Sequence, residues 1–204
     1  MSTPAAGILC VPCEKLIPSL AVAAFTRLQL PTGSRRAFVV TLTTPAAKRN
    51  ACIQQVLADP LQPAWIFFAD SDILVAPDTV ARLLETNLDV VGALYSGRVR
   101  SEAPLTNGNL EYGCECGRDD GTAFFPNEVV GRVVACDWVS AGALLVRRRV
   151  LEALAPGPWF EADATGENED MEFCAKARAA GFAVHVDGRV RVAHLQMIPV
   201  TISE

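Results

Sequence analysis

Short apolar runs alternate with segments of helical periodicity through the first half of the chain. The apolar runs predict strands, and segments in which apolar residues recur every three or four positions predict helices. The predicted strands are 7–11, 37–42, 65–69 and 89–94, and the predicted helices are 18–28, 45–58 and one that opens at Pro77 and Asp78. Strands that alternate with helices in this way favour an α/β fold with a central, mostly parallel sheet flanked by helices.

The second half of the chain has a less regular pattern. The expected features are long loops over 97–127 with a hairpin through 111–116, a β-rich stretch at 132–146 interrupted at 140–142, a short helix at 150–154, and a helix at 169–180 closed by Gly181. Two final strands are predicted at 182–186 and 189–193. Asp187 and Gly188 stand between them, and this dipeptide is a strong signal for a tight hairpin turn.

Composition and charge restrict the class of protein. The chain has 204 residues, of which 50% are hydrophobic and 20% charged, and its net charge is −5. These values are typical of one globular domain, here 1–204. We expect no nucleic-acid groove, because phosphate contacts dominate that affinity and the sequence has no basic stripe. The basic run Arg147 to Arg149 is interpreted as the solvated start of a helix, with a phosphate site as the less favoured alternative.

The sequence also bears on the cellular location. No stretch reaches the ~20 apolar residues that a membrane-spanning helix needs, and the N-terminus lacks the layout of a signal peptide. We therefore expect a cytoplasmic protein without a membrane span. Seven cysteines lie between Cys10 and Cys174, and in the cytoplasm free thiols are expected. A zinc site on Cys10, Cys13, Cys114 and Cys116 is a less favoured alternative.

The candidate chemistry begins at two aspartates that follow a wholly apolar run. Asp70 and Asp72 come directly after the predicted strand at 65–69. In open α/β sheets, ligands bind outside the carboxyl ends of the strands, and two carboxylates there suit a hard cation such as Mn²⁺ or Mg²⁺. A solvated turn with a helix cap is the alternative, and the spacing alone does not decide between them.

Two later features could complete a site. Glu169 and Asp170 fall in the first turn of a predicted helix, where the helix dipole favours acidic residues in any protein. Such a carboxylate could also act as a general base beside a pocket. His194 follows an apolar run, and a histidine at a strand end can be a third metal ligand or a structural residue. His185 lies inside a predicted strand and is interpreted as structural.

Several short motifs occur in a characteristic order over about residues 7–195. They are Cys10-Val11-Pro12-Cys13-Glu14, Arg49-Asn50, Phe67-Phe68-Ala69-Asp70-Ser71-Asp72, Pro77-Asp78-Thr79, Leu83-Leu84, Val90-Val91-Gly92-Ala93-Leu94-Tyr95, Ser140-Ala141-Gly142-Ala143 with Arg147-Arg148, Glu169-Asp170 and His194. This ordered set resembles family-2-like GT-A glycosyltransferases, especially short phage and bacterial members. The resemblance implies a single GT-A (Rossmann-like) domain, with a nucleotide-sugar half at about 7–96 and an acceptor and catalytic half at about 97–204.

The resemblance also implies roles for individual residues. Asp72 corresponds to the metal-binding aspartate, Asp70 to a residue that contacts the donor ribose or shares the metal, and His194 to a further metal ligand. Asp170 corresponds to the base that deprotonates the acceptor, with Glu169 beside it. The implied substrate-binding residues are Pro12, Cys13, Glu14, Arg49, Asp70, Ser71 and Gly142, with Pro12 and Glu14 against the nucleotide base and Gly142 facing the sugar and acceptor.

The expected function is therefore transfer of a sugar from a nucleotide-sugar donor to an acceptor hydroxyl, with Mn²⁺ or Mg²⁺ on the diphosphate. Many family members carry acidic residues after the second strand that read uracil, but 41–45 has none, so the donor base stays open. The acceptor and the oligomeric state are also unspecified. In a retaining enzyme, Asp170 would orient the acceptor instead. The alternatives are a non-enzymatic sugar-nucleotide-binding protein and, less favoured, a phosphohydrolase with Asp70 as nucleophile and Asp72 as acid.

Overall fold

A computed structural model describes residues 5–13, 16–40, 43–96, 114–164 and 168–195. Its strands are β1 (Ile8–Cys13), β2 (Arg35–Val40), β3 (Trp65–Ala69), β4 (Ile73–Leu74), β5 (Val90–Leu94), β6 (Cys116–Gly117), β7 (Val133–Cys136), β8 (Trp138–Val139), β9 (Ala143–Arg147), β10 (Val184–Arg191) and β11 (Ala193–His194). Its helices are α1 (Ser19–Arg27), α2 (Pro45–Ala58), α3 (Thr79–Glu85), α4 (Pro126–Val129), α5 (Arg148–Ala153) and α6 (Glu169–Ala179). The hairpin expected at 111–116 lies largely outside the described residues.

Within the described residues, seven strands form one sheet in the order β2-β1-β3-β9-β5-β10-β7. The strands β2, β1, β3, β5 and β10 share one direction, while β9 and β7 run against it. The predicted mostly parallel sheet is confirmed. The carboxyl ends of β1 and β3 are adjacent, which is where an open sheet of this kind forms a ligand crevice.

The sheet is covered on both faces, which explains why β3 is apolar at every position. Ile66 and Phe68 point into a core shared with α2, α5 and α6. Trp65 and Phe67 point into a second core with α1 and α3. Because successive strand residues alternate between faces, β3 packs against the helices on both faces of the sheet. The chain leaves the sheet at Asp70, directly after β3. None of the described helices has both the length and the apolar character to cross a membrane.

The hairpin predicted around Asp187 and Gly188 is wrong, because both residues lie inside the continuous strand β10. The Asp187 carboxylate is fully buried and accepts hydrogen bonds from the backbone and guanidinium of Arg189. Gly188 donates to the Arg132 carbonyl at 2.7 Å, and a Cβ on it would lie 1.9 Å from the Val129 carbonyl oxygen. The glycine thus permits a close backbone approach rather than a turn.

The prediction of free thiols is wrong for two of the cysteines, since Cys10 and Cys52 form a disulfide. Packing of α2 against β1 brings their Cα atoms to 6.7 Å, within the range that a disulfide can span. The residues are 42 positions apart in the sequence, so no local motif signals the pair. The other cysteines are reduced and buried: Cys13, Cys114, Cys116, Cys136 and Cys174.

The arginine run at Arg147 to Arg149 starts a helix, as predicted, since α5 begins at Arg148. The Arg148 guanidinium donates to the carbonyls of Val56 and Leu57 at 3.0 Å each, at the end of α2. Arg149 forms an ion pair with Asp89. The positive charges of Arg148 and Arg149 are therefore engaged by the fold, one at a helix C-terminus, where a cation is favourable.

Candidate functional site

A cavity of about 370 Å³ opens beside the carboxyl ends of β1 and β3. Its lining residues are Pro12, Cys13, Leu16, Pro45, Lys48, Asp70, Ser71 and Asp72. Five of these were expected at the site, and they come from two separate segments that the parallel sheet aligns. Leu16, Pro45 and Lys48 were not anticipated. Glu14, which was expected against the nucleotide base, lies outside the described residues.

The segment from Asp70 to Asp72 forms a turn fixed by backbone hydrogen bonds. The Asp70 N–H donates to the Gly142 carbonyl at 2.9 Å, and the Ile73 N–H donates to the Asp70 carbonyl at 3.0 Å. Gly142 is a predicted site residue, and the first bond ties it directly to the aspartate turn. These bonds therefore hold the backbone from which the two acidic side chains extend.

His194 reaches this turn from the other end of the chain. The short strand β11 pairs antiparallel with β4, which places His194 opposite Ile73, and the Leu195 N–H donates to the Asp72 carbonyl at 2.8 Å. The His194 Nε2 lies 3.2 Å from Asp72 Oδ2. Two of the three expected metal ligands are thus in contact. Nevertheless, among the described residues no three acidic, histidine or cysteine side chains are arranged to hold a metal ion.

Asp70 faces a different partner, the guanidinium of Arg49. Arg49 is only 3% exposed and contacts three carboxylates. Its Nη2 donates to Asp70 Oδ1 at 2.9 Å, its Nη1 donates to Glu169 Oε1 at 2.5 Å, and Nη1 lies 3.3 Å from Asp170 Oδ1. One buried cation therefore joins the aspartate turn to the first turn of α6. Arg49 was expected among the substrate-binding residues, but it is not among the described residues that line the cavity.

The electrostatics of this cluster keep Arg49 charged. Burial acts to lower its pKa, but the carboxylates of Asp70, Asp170 and Glu169 outweigh burial, and the pKa is raised. A buried charge is tolerated when opposite charges and hydrogen bonds surround it. The neighbouring Asn50 holds the adjoining backbone, since its side chain bonds to the backbone N–H and C=O of Phe160.

Asp170 anchors the loop that contains Gly142. Its Oδ2 accepts from the Ser140 hydroxyl at 2.7 Å and from the Ala141 N–H at 2.9 Å. Its Oδ1 is buried and makes no hydrogen bond among the described residues, with Arg49 as its charged neighbour. Asp170 is therefore held in place through Oδ2 by the loop and through Oδ1 by the charge of Arg49.

Tyr95 and Glu115 are additional residues of the site that the sequence did not single out for a role. Burial, reinforced by Asp70, raises the pKa of the Tyr95 hydroxyl well above its usual value, so the phenol stays protonated. Its ring contacts the His194 ring edge to face, with 5.8 Å between centroids. Burial also raises the pKa of the Glu115 carboxyl, and the nearby charge of Asp170 adds to that rise. No motif marks Glu115, which stands between two buried cysteines.

Gly142 is expected to tolerate no larger residue. A Cβ there would lie 2.3 Å from the Tyr95 hydroxyl and 3.3 Å from Asp70 Oδ2. We predict that Gly142→Ala displaces these side chains, costs about 1–3 kcal/mol of unfolding free energy as overpacking does, and lowers affinity for the expected nucleotide-sugar donor. Chemical denaturation and donor titration measure the two effects. Gly121→Ala is the control, because no atom lies within 4 Å of a Cβ there although its φ of +82° is strained. Equal donor affinity in the two variants would contradict the role of Gly142.

Solved structures with this architecture identify the fold. The structure superimposes on A197 from STIV with a TM-score of 0.60 and 13% identity, covering 98% of both chains. It matches S. aureus TarS 1–349 with a TM-score of 0.58 and 12% identity, over 93% of this chain and 60% of TarS. It matches GalNAc-T7, solved with UDP, GalNAc and Mn²⁺, with a TM-score of 0.59 and 11% identity, over 95% of this chain and 44% of GalNAc-T7.

This is the GT-A glycosyltransferase fold. The likeness is one of structure, because no protein-family model matches the sequence and no curated protein matches it. In this GT-A fold, the cavity formed by Asp70, Ser71 and Asp72 lies at the carboxyl ends of the strands, and Arg49 connects it to Asp170.

Proposed function

We propose that the protein is a glycosyltransferase that moves a sugar from a nucleotide-sugar donor to an acceptor hydroxyl. The observation that carries the proposal is the Arg49 cluster, because it joins Asp70 at the cavity to Asp170 in the first turn of α6. A transferase needs two such groups, one at the donor diphosphate and one at the acceptor, held at a fixed separation. A protein that only bound a sugar nucleotide would not need the second group.

The proposal includes a divalent cation, Mn²⁺ or Mg²⁺, at the donor end of this site. Asp72 in the cavity lining offers a carboxylate oxygen, and His194, which contacts Asp72, offers an imidazole nitrogen. Both side chains are partly exposed, at 23% and 16%. Carboxylate with imidazole is a donor set that Mn²⁺ accepts, and a pure carboxylate and water set suits Mg²⁺. Asp70 is engaged by Arg49, so we assign the cation to Asp72 and His194 first. A bound cation would stabilise the negative charge that develops on the diphosphate leaving group.

The acceptor end of the proposed reaction uses Asp170. The acceptor hydroxyl gives its proton to the Asp170 carboxylate, its oxygen forms a bond to the anomeric carbon, and the bond from that carbon to the diphosphate oxygen breaks with the electron pair on the phosphate. Ser140 and Ala141 hold the Asp170 carboxylate in position during this step. Glu169 bonds to Arg49 and therefore acts as a positioning residue. The acceptor is left open.

The donor end is tested by Asp72→Asn and His194→Ala. Each is expected to weaken Mn²⁺-dependent binding of a nucleoside diphosphate by about 100-fold or more, because even residues that only orient a metal ligand contribute roughly 10- to 100-fold. Calorimetric titration with UDP, GDP, CDP, dTDP and ADP, with and without Mn²⁺, measures the effect. Asp120→Asn is the matched control, since Asp120 lies in an exposed turn with Thr122. Unchanged Mn²⁺-dependent binding in both site variants would refute the assignment.

A further inference from the structure

Among the described residues that line the donor cavity, one has a cationic side chain, Lys48. The reaction proposed above gives it no role. Lys48 is 4% exposed, although lysine is among the residues least often buried. It belongs to the cavity lining together with Asp70 and Asp72. Its helix α2 also supplies Arg49, so consecutive residues of one helix contribute the cavity cation and the cation of the carboxylate cluster.

The electrostatics of the cavity call for such a cation. The described lining contains two carboxylates, Asp70 and Asp72, of which Asp70 is balanced by Arg49. A nucleoside diphosphate brings further negative charge, and like charges repel strongly where water is partly excluded. A divalent cation on Asp72 and His194 would offset part of this repulsion. A second positive charge in the cavity lining, that of Lys48, would offset more of it.

Lys48 shares the cavity lining with Pro12 and Cys13 at the end of β1. Burial raises the pKa of the Cys13 thiol, and the positive charge of Lys48 partly opposes the rise. Pro12, Leu16 and Pro45 supply apolar surface beside it. Apolar walls with a few charged groups are typical of sites that enclose a small ligand, and lysine binds phosphate as a point charge.

We propose that Lys48 is a donor-binding residue that recognises a phosphate of the nucleoside diphosphate. This inference rests on the proposed function and assigns part of the donor affinity to a residue that no motif singled out. The ammonium donates to a phosphate oxygen of a diphosphate bound in the cavity. The diphosphate is then held between a cation site at Asp72 and a fixed positive charge at Lys48.

The test uses the 204-residue chain and the nucleoside diphosphate that binds the wild type most tightly among UDP, GDP, CDP, dTDP and ADP. Lys48→Met keeps the length of the side chain and removes its charge. Its Kd is expected to rise about 10- to 100-fold, as for loss of one hydrogen bond to a charged group. The Kd for the corresponding nucleoside, which lacks phosphate, is expected to change less than about threefold, because that ligand makes no such bond. Lys48→Arg should recover part of the lost affinity.

The control is Lys176→Met on α6, where the ammonium donates to the Pro158 carbonyl and pairs with Glu161. Circular dichroism and thermal unfolding establish that each variant is folded. If Lys48→Met does not fold, the comparison is made with Lys48→Arg instead. Equal Kd values for Lys48→Met and Lys176→Met would overturn the inference, as would an equal loss for nucleoside and diphosphate. If Asp72→Asn weakens binding and Lys48→Met does not, only the Lys48 role fails. If the wild type binds no nucleoside diphosphate, both the Lys48 role and the proposed function fail.

Discussion

Asp170→Asn is expected to lower kcat by about 100- to 10,000-fold, the usual contribution of a general base, while donor affinity stays close to that of the wild type. The substituted amide keeps an oxygen that can accept from Ser140 and Ala141, so the loop should hold its position. The amide cannot take up the acceptor proton. Because Arg49 retains Asp70 and Glu169 as partners, the fold should survive the change.

The measurement is transfer or donor hydrolysis under saturating donor, combined with calorimetric donor binding. Glu169→Gln is the matched comparison, because it makes the same chemical change one residue earlier, on the carboxylate bonded to Arg49. It should reduce kcat far less than Asp170→Asn. If the loss were larger in Glu169→Gln, or if Asp170→Asn kept kcat within threefold of the wild type, Asp170 would not be the base.

Arg49→Met is expected to destabilise the protein by about 3 kcal/mol and to abolish activity. Removing one member of a buried ion pair typically costs about 3–5 kcal/mol, and we choose the lower end because Asp70 is 37% exposed and water can partly compensate. The loss of the cation leaves Asp70, Glu169 and Asp170 as mutually repelling neighbours. Urea denaturation measures the change in unfolding free energy, and the donor titration shows whether the aspartate turn keeps its geometry.

Arg149→Met is the control for that experiment. Arg149 also forms an ion pair, but its side chain is 68% exposed, and such pairs contribute about 1 kcal/mol or less. Arg49→Lys should restore part of the stability and less of the activity, because an ammonium lacks the planar fork that reaches several carboxylates at once. A similar unfolding free energy for Arg49→Met and Arg149→Met would show that the carboxylates do not depend on Arg49.

Predictions from local pattern succeeded where one periodicity dominated. The strand at 65–69 and the helix at 45–58 have the predicted bounds, because a doubly buried strand and a proline-initiated helix leave clear signals. The Asp187-Gly188 signal failed, since the same dipeptide that suits a hairpin also permits a buried carboxylate next to a close backbone contact. Sequence pattern alone cannot separate these two uses.

In the candidate site, features set by adjacent residues were predictable and contacts between distant segments were not. The aspartate turn was predictable, because its residues are adjacent and follow a strand that ends at the ligand-binding edge of the sheet. The Cys10–Cys52 pair and the contacts of Arg49 were not, because they join segments far apart in the chain. Lys48 and Glu115 gave no signal, since a single lysine or glutamate is common on any surface.

The sequence by itself determined the α/β fold and the position of Asp70 and Asp72, because hydrophobic periodicity and strand ends are properties of neighbouring residues. The tertiary structure decided the partners of those residues. It paired Asp72 with His194 through β4 and β11, and it joined Asp70 to Asp170 through Arg49. Such partners depend on how the parallel sheet and its helices bring distant segments together, which no local pattern encodes.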